Sequence, residues 1–314
     1  MSNKGLYGKF NQINAKTSQE AVYQCGADFE VEKVDMFIRP NNGETEAVVP
    51  FHQAIIRKDT HDILGVMSRN YGIVQYATAV KATEALVEEG MAAYAFGRLL
   101  GKGEKFYLFM TDNQVLDLGI GSNGIPLLIQ NHFSICSSHD GSLGFEISPT
   151  PVILNSGSIF TVNQSGRVWT KHSKKVDGRV ETLKSRFHKV REFWAEFTDS
   201  ARMMATAKVT NQQAEEFFLG LVDGDSTRAE NIRAKLVSIY IGGPQRVYPA
   251  CNGTVLGLLM ATVEYSDREK VVKISKKMDR ESCEIRASLE GDAAKLKAEA
   301  YASAIILMNK LGIK

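Results

Sequence analysis

The spacing of apolar residues along the chain changes once, near residue 178. Before that point, short apolar runs such as 54–57 and 63–67 flank polar turns such as 58–62, which is the pattern of antiparallel hairpins. After it, apolar residues step by four and three positions, and this spacing predicts one face of a long helix. These residues are Leu183, Phe187, Val190, Trp194 and Phe197.

Capping residues indicate where further helices begin. Thr210 and Gln213 have the spacing of a capping box, in which each side chain bonds the backbone of the other residue. Ser226 is predicted to cap a helix that ends near Gly242, and Asp292 to cap the final helix. The second half of the chain is therefore predicted to be mainly helical.

These patterns predict an α+β fold with a strand-rich antiparallel N-terminal half and a helical C-terminal half. Residues 1–30 show little periodicity and are predicted to form an N-terminal arm. Residues 31–175 form the predicted strand-rich domain, with one helix near 77–90. Residues 176–314 form the predicted helical region, which packs on that domain.

Composition and charge narrow the class of protein. The 314 residues carry a net charge of only +2, so no overall field attracts the chain to nucleic acid or membrane. The longest apolar run, Val255–Val263, is too short to span a bilayer. The cysteines form no CxxC pair and are typical of thiols in a reducing compartment: Cys25, Cys136, Cys251 and Cys283. We expect a cytoplasmic protein with no membrane partner.

A polar cluster follows an apolar run at residues 132–140 and is a candidate for chemistry. Two predicted strands are expected to bring its members and a later asparagine towards one end of a sheet. They are His132, Cys136, His139, Asp140 and Asn155. Imidazole and thiolate suit zinc, but the spacing matches no closed zinc site, and Asp140-Gly141 alone is typical of a turn. We therefore assign no catalytic residue, no metal ligand and no cofactor.

Positive charge is concentrated between residues 167 and 191, where nine lysines and arginines accompany two acidic residues. Clustered cations with an aromatic side chain are suited to phosphates and to a stacked base. A solvated helix face would give the same composition. The residues that we predict to contact nucleic acid are Arg167, Trp169, Lys171, Lys174, Lys175, Arg179, Lys184 and Arg186.

Several segments, taken in order, resemble one family. They are Ile56–Thr60, Leu64–Val66, Leu100–Gly103, Ser138–Ser142, Thr150–Asn155, Thr254–Asp267 and Gly291–Lys297. They resemble the phage/plasmid-like family of uncharacterised proteins encoded by prophages, phages and conjugative plasmids, over roughly residues 50–310. This resemblance implies a bacterial host cell and a role in DNA replication, recombination or host conflict. The strand-rich half joined to basic helices is also similar in architecture to phage single-strand annealing proteins of the Erf and Rad-type groups.

Three functions remain open on the sequence. The first is a non-catalytic protein that binds and anneals single-stranded DNA as a homo-oligomer, using the basic run. The second is a metal-dependent nuclease or related hydrolase that uses the cluster from His132 to Asp140. The third is an inhibitor of a host factor that acts by protein–protein contact. We place them in that order, because the basic run is the strongest physical signal.

Overall fold

The structure is a computed structural model that describes residues 6–39, 46–120, 126–161, 167–172, 188–242 and 253–313. Its first half is strand-rich and antiparallel and its second half is helical, so the predicted α+β class is confirmed. No helix in these ranges is long and apolar enough to cross a membrane.

An eight-stranded antiparallel sheet organises the first half. Its strands are β1 (Asn11–Gln12), β5 (Ala93–Leu100), β6 (Lys105–Ile120), β7 (Pro126–Ser138), β8 (Phe145–Pro149), β9 (Val152–Ile153), β10 (Ser158–Ile159) and β11 (Val168–Thr170). The order is β1-β5-β6-β7-β8-β11, and β9 also pairs with β7 and carries β10. The long strands β6 and β7 form the centre, and β11 is the last strand of the sheet within the described residues.

Both faces of this sheet are covered near the start of β6, which explains why residues 106–110 form a continuous apolar run. One face carries Tyr107 and Phe109 and packs against the 3₁₀ turn Leu6–Lys9 and Ile285. The other face carries Phe106 and Leu108 and lies in a separate cluster. Alternate residues of one strand therefore belong to two different cores.

The second face is covered by a three-stranded sheet and three short helices. The small sheet is β2 (Val31–Ile38), β3 (Ala47–Arg57) and β4 (Ile63–Ser68), and the helices are α1 (Ser18–Gln24), α2 (Tyr76–Lys81) and α3 (Glu84–Glu88). The single helix predicted near 77–90 is thus two helices. They separate at Thr83, whose hydroxyl donates to the carbonyl oxygen of Val80 and competes with helix continuation. Residues 6–30, predicted as an arm, contain β1 and α1.

Six helices form the second half within the described residues. They are α4 (His188–Thr206), α5 (Asn211–Leu221), α6 (Thr227–Ile241), α7 (Val255–Glu264), α8 (Arg280–Leu289) and α9 (Asp292–Lys310). Val190, Trp194 and Phe197 are buried on α4, as their spacing predicted; Leu183 and Phe187 lie outside the described residues. The capping box of Thr210 and the Ser226 cap are confirmed. The predicted cap by Asp292 is wrong.

The N-cap of α9 is Gly291, which has no side-chain capping bond, and Asp292 is the first helical residue. Asp292 is therefore one position too far along the chain for its carboxylate to act as the cap. Its negative charge still lies in the first turn, where it interacts favourably with the helix dipole.

A buried ion pair within the helical half is also hydrogen-bonded to the large sheet. The ammonium group of Lys297, on α9, lies 3.0 Å from the carboxylate of Asp267, and neither side chain is exposed. Asp267 belongs to a π-helical turn, Tyr265–Glu269, after α7. The Lys297 ammonium also donates to the Ile159 carbonyl oxygen of β10, at 2.7 Å. Three hydrogen-bond partners, with the Ser288 hydroxyl as the third, thus compensate for burying this charge.

Candidate nucleic-acid interface

Strand β11 presents alternate residues to solvent. Val168 and Thr170 are buried, whereas Arg167, Trp169 and Lys171 are exposed. This alternation is the period of a strand with one covered face. The first three predicted nucleic-acid contacts therefore lie on one side of the same strand, about 7 Å apart in succession. The other five, Lys174, Lys175, Arg179, Lys184 and Arg186, lie outside the described residues.

These three side chains line an open groove of about 730 Å³. The loop between β7 and β8, residues 141–144, also lines it, and Tyr71 and His172 complete the lining. Gly141 adopts a φ of 71°, a left-handed conformation that favours glycine, and the Asp140 carboxylate accepts from the Ser142 amide next to it. Among the described lining residues no side chain is acidic, so the groove is suited to an anion.

Two stacked rings contribute to the lining of the groove. The rings of Tyr71 and His172 are 5.0 Å apart and nearly parallel. The Tyr71 hydroxyl donates to the Ser138 carbonyl oxygen at 2.9 Å, and Nδ1 of His172 donates to the Gly72 carbonyl oxygen at 3.1 Å. Burial lowers the pKa of His172, and the bond to Gly72 opposes that shift. His172 is therefore held in place as a neutral ring at pH 7.

Trp169 combines exposure with a fixed position. Its side chain is 43% exposed, and its indole lies directly against Gly144, where a Cβ would overlap the indole nitrogen and the Thr170 carbonyl oxygen. The Lys171 ammonium lies 5.9 Å from the ring centroid, within the range of a cation–π contact. An aromatic ring held in this way loses little conformational entropy when a flat ligand stacks on it.

A row of paired residues leads from Trp169 into the sheet. Trp169 pairs with Glu146 of β8, Glu146 with Cys136 of β7, and Cys136 with Tyr107 of β6. Directly paired residues of antiparallel strands point to the same face, so these four side chains share one face. Arg167 forms an ion pair with Glu146, a member of this row. Sequence reasoning missed Tyr71, Glu146 and Tyr107, because their role depends on strand pairing.

The polar cluster predicted at one end of the sheet does not assemble. Asn155 accepts from the Leu128 amide, near the start of β7, whereas Asp140 lies beyond the other end of that strand. His132 and Cys136 share a face, but His139 lies against Tyr76 and Phe29 on the opposite side. The expectation is wrong because β7 is thirteen residues long and its side chains alternate between faces.

Two histidines of this cluster are structural. Burial lowers the pKa of His132 to about 4 and the pKa of His139 to about 3, so both rings are neutral at pH 7. Within the described residues, no group of three or more histidine, cysteine, aspartate or glutamate side chains could hold a metal ion. The residues proposed for a hydrolase centre thus divide between two separate cores.

The family described as "Domain of unknown function (DUF932)" matches residues 63–289 of this chain. The chain is a DUF932 protein. The DUF932 match extends from the start of β4 to the end of α8 and includes every residue that lines the groove. No curated protein and no solved structure matches the chain.

Proposed function

We propose that this DUF932 protein binds and anneals single-stranded DNA through the groove beside β11. The observation that carries the proposal is the exposed triad of Arg167, Trp169 and Lys171 along a groove without acidic lining in the described residues. Cations supply the attraction to phosphates, and an exposed ring supplies a surface for an unpaired base. Five further cations follow directly in sequence, between residues 174 and 186.

A single strand fits this surface better than a duplex, because the stacking faces of bases are accessible only when they are unpaired. The resemblance to the phage/plasmid-like family supports a setting in the replication or recombination of a mobile element. Annealing requires two strands to be held with their bases accessible, and a homo-oligomer with aligned grooves provides that arrangement.

Intrinsic fluorescence tests the proposal directly, because the chain has only two tryptophans. Trp169 is 43% exposed and Trp194 is 6% exposed. In the Trp194→Phe variant all tryptophan emission comes from Trp169, and a single-stranded oligonucleotide should quench it as a base stacks. In the Trp169→Phe variant, emission comes from the buried Trp194 and should not respond. Equal responses in the two variants would contradict stacking at Trp169.

Charge contributes separately and is measured by the dependence of affinity on salt. Lys171→Ala should reduce the slope of log K against log salt by about 0.7, the contribution of one phosphate contact on a single strand. Arg39→Ala is the matched control, because Arg39 is an exposed arginine at the end of β2. Affinity should fall equally for all base sequences, since phosphates carry no sequence information. If Lys171→Ala had the same salt dependence as wild type, Lys171 would not contact a phosphate.

One observation favours a second candidate function, inhibition of a host factor by protein contact. Apolar side chains are exposed on the β2–β3 hairpin, among them Phe37, paired with Val48, and Phe51. Exposed apolar patches mark protein interaction sites. Light scattering of a Phe37→Ser/Phe51→Ser variant separates the alternatives. If the variant forms a smaller particle than wild type, the patch serves self-association, which argues against binding of a host protein there.

A further inference from the structure

A second cavity, of about 300 Å³, lies between the sheet and the last two helices. Tyr107, Cys136 and Glu146 contribute to it from the sheet, and Glu290 and Ala294 contribute from the junction of α8 and α9. Its volume is at the lower end of the range for small-molecule sites, which is about 300–1,000 Å³. A single ring system with a short substituent is therefore the size of ligand that it can hold.

Three buried polar atoms at this cavity have no hydrogen-bond partner within the described part of the chain. They are Oη of Tyr107, Oγ1 of Thr150 and Oε1 of Glu290. Tyr107 and Thr150 are at least nine-tenths buried. A buried polar atom without a partner destabilises the folded chain, so three of them at one cavity point to a ligand that completes their bonds.

The charged groups inside the cavity favour a ligand that donates hydrogen bonds. Glu146 is paired with Arg167, and the second oxygen of Glu290 is paired with the buried ammonium of Lys105. Burial raises the pKa of Glu290, and Lys105 opposes this shift. Arg167 and Lys105 are thus already paired to carboxylates, and a third nearby cation, Lys295, is exposed. A phosphate inside the cavity would therefore meet the unpaired oxygen of Glu290. A neutral ligand with amino or imino hydrogens suits Oε1 of Glu290 instead.

The walls of the cavity suit a flat ring. Leu143, Pro149, Leu289, Ala294 and Ala298 line it with carbon atoms. Apolar walls and a few polar groups that fix orientation are typical of sites for small organic ligands. The hydroxyls and the carboxylate oxygen would meet the edge of such a ring, and the aliphatic side chains would contact its faces.

This cavity adjoins the groove, because Leu143 and Arg167 line both. Tyr107 and Trp169 are the two ends of the paired row, three strand spacings apart. At about 4.8 Å for each spacing, their backbones are about 14 Å apart. A single strand that lies in the groove therefore has the cavity directly beside it.

We infer that the cavity receives one unpaired nucleobase that carries an exocyclic amino group, with Glu290 accepting from that amino group and Tyr107 and Thr150 bonding the neighbouring ring atoms. This inference rests on the proposed binding of single-stranded DNA and adds base selection to it. Carboxylates accept from the amino group of cytosine in known base recognition. Thymine has no amino group, so oligothymidylate is expected to be the weakest homopolymer ligand.

Calorimetric titration of the full chain with deoxycytidine, deoxyadenosine and thymidine tests the cavity without relying on the groove. Deoxycytidine or deoxyadenosine should bind at least about fivefold more tightly than thymidine. Tyr107→Phe and Thr150→Val should each weaken binding of the amino-bearing nucleoside by at least about fivefold. Tyr94→Phe is the matched control, because it removes a buried tyrosine hydroxyl from the opposite face of the sheet.

The outcomes separate this inference from the proposed function. If oligonucleotides quench Trp169 but no nucleoside binds, and Tyr107→Phe leaves homopolymer preference unchanged, the cavity does not hold a base and the proposed function stands. If an amino-bearing nucleoside binds through Tyr107 and no oligonucleotide binds, the cavity is a nucleobase site and the proposed function fails. If the control Tyr94→Phe weakens nucleoside binding as much as Tyr107→Phe does, the loss is structural and the inference is overturned.

Discussion

The buried ring of His139 makes the free energy of unfolding depend on pH, and a single substitution can isolate this contribution. His139 is fully buried, its ring centroid lies 4.1 Å from that of Tyr76, and neither ring nitrogen has a hydrogen-bond partner in the described chain. Burial lowers its pKa from 6.5 to about 3. Below pH 6.5 the unfolded chain therefore takes up a proton that the folded chain does not.

The sign and size of the effect follow from this difference in proton uptake. The folded pKa is the lower one, so the contribution is fully present above pH 6.5 and is lost as the pH falls towards 3. Each pH unit inside that window costs about 1.4 kcal/mol for one such group. Between pH 7 and pH 4.5 the free energy of unfolding should fall by about 2.5 kcal/mol through His139 alone.

The perturbation is His139→Phe, which keeps an aromatic ring beside Phe29 and removes the titrating group. Urea unfolding at several pH values between 7 and 4.5 gives the free energy of unfolding of wild type and variant. The variant's free energy should fall less steeply, by about 1.4 kcal/mol per pH unit. Any constant cost of fitting a larger ring cancels, because only the change with pH is compared. His52→Gln, at an exposed position on β3, controls for the loss of an imidazole.

Parallel profiles for wild type and His139→Phe would refute the reasoning. They would mean that the ring is protonated in the folded protein, and therefore that it has a partner or access to water. A steeper profile for the variant would have the same meaning, because it would assign a stabilising role to the protonated ring.

Three further predictions concern other parts of the fold. Lys297→Met should lower the free energy of unfolding by about 3–5 kcal/mol, because it leaves the carboxylate of Asp267 buried without its partner charge. Thr210→Ala should cost about 1 kcal/mol by removing the capping box of α5, measured by thermal unfolding. Gly144→Ala should displace Trp169 and weaken oligonucleotide binding, measured by fluorescence in the Trp194→Phe background.

Two of these predictions, Lys297→Met and Gly144→Ala, have a matched control in the chain. Lys58→Ala is the control for Lys297→Met: it breaks an exposed ion pair with Glu30 and should not measurably lower the free energy of unfolding. If the two variants lost the same free energy of unfolding, burial of the Lys297 pair would have no special effect. Gly220→Ala adds a methyl group where nothing lies within 4 Å, inside α5, and should not weaken binding. If Gly144→Ala binds oligonucleotides as wild type does, Trp169 is not positioned by this contact.

The sequence was sufficient to predict those features of the fold that depend on residues close together along the chain. The change of period near residue 178 correctly separated strands from helices, and the cap formed by Thr210 and Gln213 needs only residues three apart. The hairpin between β3 and β4 was likewise local. The start of the last helix was predicted one residue too late, since Gly291 rather than Asp292 occupies the N-cap of α9. A one-residue shift there changes no apolar spacing and so leaves no signal in the sequence.

The candidate site depended more on pairing between distant strands. The alternation of Arg167, Trp169 and Lys171 could be read from the sequence, but their position beside Tyr71 could not. The predicted assembly of the polar cluster was wrong because residues close in sequence, such as His132 and His139, lie in different cores. Register decides which side chains meet, and register between strands is set by the whole sheet.

The contact between Lys297 and Ile159 can form only after a delay during synthesis on the ribosome. The two residues are 138 positions apart, so the carbonyl of β10 is made long before the ammonium group that it will accept from. At about 5–20 residues per second, the interval is roughly 7–30 seconds. Until then the edge formed by β9 and β10 lacks its covering helix, and apolar surface from both halves is accessible to chaperones or to other nascent chains. Slowing translation within α9 should therefore favour aggregation more than slowing it within β6.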